Sequence, residues 1–66
     1  MKNSEEIINN MYDRLEEIRK EKGLSFIEFA SPLGKGRNWY QQNLQSKRDI
    51  GYSDLVRLLA FYGESV

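Results

Sequence analysis

Sixty-six residues, ten of them Lys or Arg and ten Asp or Glu, with 39% apolar residues and one proline, describe a single small soluble domain spanning 1–66. The absence of cysteine excludes a disulfide framework and a thiolate metal site, and the absence of histidine removes the usual zinc ligand and the commonest general base, so no metal, no cofactor and no enzymatic role is expected. The longest apolar run, Leu58 to Tyr62, has five residues where a membrane span needs about 20; with no basic-then-apolar leader, the expectation is a cytoplasmic protein with no membrane contact and no evident small-molecule ligand.

In the first segment Ile8, Met11, Leu15 and Ile18 recur at spacings of three and four, with Ile7 and Tyr12 beside them, which places one apolar stripe along a helix. Ser4, Glu5 and Glu6 suit its start and Gly23 its stop. Ser25 followed three residues later by Glu28 is a capping-box pattern. It opens a short helix through Phe29 and Ala30 that weakens at Pro32, and Ser31 before the proline is biased away from helix. Leu33-Gly34-Lys35-Gly36 supplies two glycines where the chain turns. A third helix is predicted over about Arg37 to Ser46, with Tyr40 and Leu44 inward. After a turn at Asp49 to Tyr52, Leu55, Leu58, Leu59 and Tyr62 sit at i, i+3, i+4 and i+7 of a fourth helix that Gly63 stops. Tyr12, Phe29, Tyr40, Tyr52 and Tyr62 are the aromatic residues expected in the core. No alternating run competes for a strand.

The formal net charge of zero conceals an uneven distribution. Residues 35–48 carry Lys35, Arg37, Lys47 and Arg48 and no acid, together with Asn38, Gln41, Gln42, Asn43 and Gln45, whereas residues 49–66 carry one cation against three acids. The unbalanced positive charge therefore lies in one fourteen-residue stretch, the place to look for function; a solvated polar face is the plain alternative.

Leu15 to Ser25, Phe29-Ala30, Leu33-Gly34, Tyr40 and Leu55 to Gly63 together carry a resemblance that runs over residues 11–63 in one register. The chain resembles the Cro and lambda-repressor (XRE-like) type of helix-turn-helix domain. The resemblance implies an all-α, four- to five-helix bundle and a role as a bacterial or phage transcription regulator, most simply a repressor that occludes a promoter. The partner it implies is double-stranded DNA, with the start of the third helix entering the major groove.

With Tyr40 and Leu44 inward, 100° per residue puts Asn38, Gln42 and Gln45 on the outer side, with Arg37 and Gln41 on one shoulder and Trp39 on the other. Arg pairs bidentately with guanine and Asn or Gln with adenine, and the positions matching the family's groove-entering residues are Arg37, Asn38, Gln41 and Gln42. Arg37, Asn38 and Gln42 are the expected principal readers and Gln41 a secondary one. Lys35, Lys47 and Arg48 bracket that face and suit phosphate contacts. Three differences from the family pattern touch the same surface. Phe26 stands where many relatives carry a phosphate-binding glutamine, a contact that Ser25 or the helix start would have to supply. Gly36 replaces the usual Ser or Thr cap and lets the backbone approach a phosphate. Asn43 and Leu44 take an apolar and an acidic position respectively, which rotates the inner face slightly.

A chain this small gains from burial against a second copy, so a homodimer is expected. Phe61 lies off the helix-four stripe beside Val56, suited either to packing on a twin subunit or to capping an edge of the core. Trp39 is read either as a packing anchor or as a contact to thymine methyls or sugars. The alternative function is a protein-interaction module that keeps the fold and docks a partner on Phe26, Ile27 and Trp39.

Overall fold

The computed structural model describes residues 4–64 as four α-helices and one short 3-10 segment, and no strand occurs among those residues. The helices are α1 (Ser4–Glu21), α2 (Phe26–Ala30), α3 (Trp39–Ser46) and α4 (Tyr52–Phe61), with the 3-10 segment Ser31–Leu33 following α2 directly. The capping role expected of the Ser4 side chain and the tail at 65–66 lie outside the described set.

α1 ends as its sequence dictates. Gly23 takes a left-handed φ of 68°, its N–H donates to the Lys20 carbonyl, and the Leu24 N–H donates to the Arg19 carbonyl, both at 3.1 Å, closing the last turn. α2 opens on the predicted capping box: the Glu28 N–H donates to Ser25 Oγ at 3.1 Å and the Ser25 N–H to Glu28 Oε1 at 2.9 Å.

Ser31 departs from expectation. It is helical (φ −54°, ψ −35°), because the chain tightens into the 3-10 segment, where Pro32 sits in the first turn and owes no hydrogen bond. The Ser31 hydroxyl donates to the Glu28 carbonyl at 2.9 Å, and Leu33 is buried. These gains offset the steric bias of a residue preceding proline. Gly34, at φ 65°, then ends the segment.

The core comprises Tyr12, Leu15, Ile18, Phe29, Ala30, Leu33, Tyr40, Leu58 and Leu59, with Leu44, Leu55, Trp39 and Tyr62 packed on its edge. Each fully buried large side chain is worth about 1.5–3 kcal/mol relative to exposure. Phe29 is the hub: its ring meets Tyr40 edge-on at 5.1 Å and stacks on Tyr62 at 5.0 Å, while the Tyr62 hydroxyl donates to the Phe29 carbonyl at 2.8 Å. Four of the five expected core aromatics therefore pack inward. Tyr52 does not; it is 73% exposed. It occupies the first position of α4, one turn before Leu55, and the inward stripe of that helix does not reach back to it.

α3 is tied to α1 by a polar bridge set against this core. Arg19 donates from Nε and Nη2 to the two Glu16 oxygens, each at 2.8 Å, and from Nη1 to the Leu24 carbonyl at 2.7 Å. The Tyr40 hydroxyl donates to Glu16 Oε2 at 2.8 Å. The Arg19 hydrogen bonds hold the Glu16 carboxyl below its ordinary range, with the Tyr40 bond acting in the same direction. Burial, and then the neighbouring carboxylate, push the Tyr40 phenol strongly upward. The guanidinium also lies over the Phe26 ring, 4.4 Å from its centroid.

Candidate nucleic-acid interface

The outer side of α3 is built by the chain on either side of it. Gly36, at φ 104°, starts a tight turn in which the Trp39 N–H donates to the Gly36 carbonyl at 3.4 Å. Arg37 and Asn38 occupy that turn, so the helix begins at Trp39, two residues later than its predicted start at Arg37. The cap is accordingly Asn38, not Gly36, although its side chain makes no capping bond. A Cβ built on Gly36 meets nothing within 4 Å, leaving its backbone open to a ligand's approach.

At the other end Lys47 adopts the left-handed conformation (φ 55°, ψ 43°) and its N–H donates to the Leu44 carbonyl at 3.3 Å. The Arg48 N–H donates to the Asn43 carbonyl at 3.1 Å, and the Arg48 carbonyl accepts the hydroxyl of buried Tyr12. Both backbone polar groups of Arg48 are thus anchored. Burial, then the nearby Asp49 charge, push the Tyr12 phenol up to about 12.

Burial along α3 follows the helical period. Tyr40 is fully buried; Trp39, Gln41, Asn43 and Leu44 are half-buried; Gln42, Gln45 and Ser46 are exposed. Asn38, Gln42 and Gln45 therefore share the outer stripe, with exposed Arg37 at its start and exposed Lys47 and Arg48 at its end. Gln41 sits half-buried on the shoulder of that stripe. The side chains of Arg37, Asn38, Gln42, Gln45 and Arg48 make no hydrogen bond or ion pair to the described residues, so their polar groups face solvent. Lys47 has no acidic partner; its ammonium lies 5.4 Å from the Tyr12 ring centroid.

Other expected contacts are engaged within the chain. Lys35 is exposed but stands 3.5 Å from Asp54 Oδ2 on α4. Ser25 is exposed, yet its N–H and its Oγ acceptor are both taken up with Glu28, whose carboxyl is held down by the Ser25 backbone N–H first and its hydroxyl second. The start of α2 thus already holds a carboxylate.

Phe26 packs inward: its ring lies 6.0 Å from Tyr40 and beneath the Arg19 guanidinium. Of the trio Phe26, Ile27 and Trp39, only Ile27 is exposed, at 41%. Trp39 lies against the core edge in the manner of a packing anchor. Val56 is half-buried, whereas Phe61 is 66% exposed, its ring edge-on to Tyr62 at 5.0 Å.

Gln45 lies on the outer side as well, beyond the expected readers. Its spacing of three from Gln42 was the available signal. No helix among the described residues is long and apolar enough to cross a membrane. Comparison with known proteins returns no matching family model, no matching curated protein and no matching solved structure.

Proposed function

We propose that the chain is a sequence-specific double-stranded DNA-binding regulator of the helix-turn-helix type, in which α2 and α3 form the motif and the outer side of α3 lies in the major groove. One observation carries this reading. The stripe Asn38, Gln42 and Gln45, flanked by Arg37, Lys47 and Arg48, is a continuous set of amide and cationic side chains without an acid among them and without acidic partners elsewhere in the described chain. Amides and guanidinium groups are the side chains whose paired donors and acceptors match base edges, each good pair contributing about 1–3 kcal/mol of discrimination. Arg37, Asn38 and Gln42 are assigned to base edges, Gln41 to a secondary contact, and Lys47, Arg48 and the open backbone at Gly36 to phosphates. Lys35 joins them by exchanging its Asp54 partner for a phosphate, since an exposed ion pair is worth only about 0–1 kcal/mol. Ser25 joins them only by giving up its hydrogen bonds to Glu28.

A dimer would place two copies of α3 in successive major grooves about 34 Å apart on a palindromic site. Repression then follows from occupying a promoter. Ile7, Tyr52 and Phe61, at 56%, 73% and 66% exposure, supply apolar surface for self-association. The apolar docking module on Phe26, Ile27 and Trp39 is the less favoured reading, because two of its three residues already pack inward.

Selection of binding sites from random duplexes, with light scattering for the subunit count, tests the proposal. Gln42→Ala alters base preference while the far-ultraviolet circular dichroism is retained. A chain that enriches no sequence, or a Gln42→Ala variant that enriches the parental one with equal affinity, refutes the assignment.

A further inference from the structure

A groove of about 580 Å³ runs beside the C-terminal half of α3, lined by Trp39, Gln42, Asn43, Gln45, Ser46 and Arg48. Its polar groups divide into two kinds. Asn43 Nδ2 donates to the Trp39 carbonyl at 2.6 Å and the Ser46 hydroxyl to the Gln42 carbonyl at 2.7 Å, so both side chains are turned onto their own helix. The Gln42 and Gln45 amides and the Arg48 guanidinium make no such bond. What the groove presents to a ligand is therefore two amides, one guanidinium and the flank of an indole. That set matches a nucleic-acid strand: donor and acceptor edges for the amides, a phosphate for the guanidinium and an apolar sugar or methyl for the ring.

Arg48 is more than a solubility charge at the end of a helix. The left-handed turn at Lys47 brings its backbone alongside α3, and hydrogen bonds to the Asn43 carbonyl and from the Tyr12 hydroxyl anchor that backbone to the helix and to the core. A guanidinium carried on an anchored backbone loses less freedom on binding than one on a mobile loop.

Resting on the DNA-binding reading above, we infer that this groove seats one strand at the outer end of the half-site, with Gln45 reading a base that Arg37, Asn38 and Gln42 do not reach, and Arg48 clamping the adjacent phosphate. The recognition surface then extends over the whole length of α3.

The test selects sites from random duplexes with the parent protein and with Gln42→Ala, Gln45→Ala and Arg48→Ala, each checked for folding by circular dichroism. The three substituted side chains, Gln42, Gln45 and Arg48, are exposed and clear of the core, so the variants fold. Gln45→Ala is expected to lose about tenfold in discrimination at one further position of each half-site while the inner positions stay as in the parent. Arg48→Ala is expected to weaken all sites alike and to reduce the slope of log K against log salt by about 1 per subunit. A Gln45→Ala variant that keeps the parental consensus and affinity ratios, while Gln42→Ala changes them, overturns the inference and leaves the DNA-binding reading standing. A parent protein that enriches no sequence overturns both.

Discussion

The contact that orients α3 can be removed with one atom. Tyr40→Phe deletes the hydroxyl that donates to Glu16 Oε2 at 2.8 Å and leaves a ring of the same shape in the core. A hydrogen bond to a charged acceptor is worth about 1.5–3 kcal/mol net. Part of that is recovered here, because Glu16 keeps both Arg19 bonds and its side chain is 18% exposed, enough to accept water instead. The expected loss is about 1–2 kcal/mol, a large share of the roughly 3–5 kcal/mol that a core of this size supplies. At about 4–8 °C per kcal/mol for a domain this small, thermal unfolding falls by roughly 10 °C. Urea unfolding followed by circular dichroism should show a lower midpoint with an unchanged slope, the sign that stability and not the unfolding mechanism has moved. Glu16→Ala is the harsher change, because it leaves the Arg19 guanidinium, 15% exposed, without its carboxylate. A Tyr40→Phe variant within about 0.3 kcal/mol of the parent, well under the hydrogen-bond value, would refute the bridge as the tie between α1 and α3.

The same bridge sets an acid limit. The Glu16 carboxyl lies below its ordinary 4.5 in the folded state, so its contribution is complete above that value and is lost as pH falls through the depressed one; a pH series of urea midpoints should flatten in Glu16→Gln. Tyr12 works in the opposite direction: its phenol is raised from 10.0 to about 12, so stability is full below pH 10 and declines as pH climbs toward 12, and Tyr12→Phe should remove that decline from the alkaline titration. Phe29→Ala, at the centre of two aromatic contacts, should cost about 3–5 kcal/mol and leave the chain largely unfolded by circular dichroism. Affinity for a selected duplex should fall with salt at a slope near −5 if a dimer neutralises about six phosphates, and a flat response would exclude the phosphate assignments. Lys47→Gly separates folding from binding: glycine relieves the left-handed backbone at φ 55° and should hold or raise the unfolding midpoint, while losing the ammonium should weaken duplex binding and shallow the salt slope.

Local pattern and chain end signals determined much of this protein from sequence alone. The apolar stripe of α1, the Ser25–Glu28 capping box, the stop at Gly23 and the inward row of α4 depend on residues within four positions of one another, and each is present. The outer stripe of α3 was legible for the same reason, since 3.6 residues per turn fixes which side chains share a side. Features set by residues distant along the chain were not. The core ended before Tyr52, and Lys35 found Asp54. The Tyr40–Glu16 bridge spans 24 positions and the Tyr12 bond that anchors Arg48 spans 36. Such contacts arise only once the helices are packed, because their partners share no period and no motif. The groove beside Gln45 belongs with them: helical spacing placed the amide outward, but only the folded chain brought Arg48 and Trp39 to the same hollow.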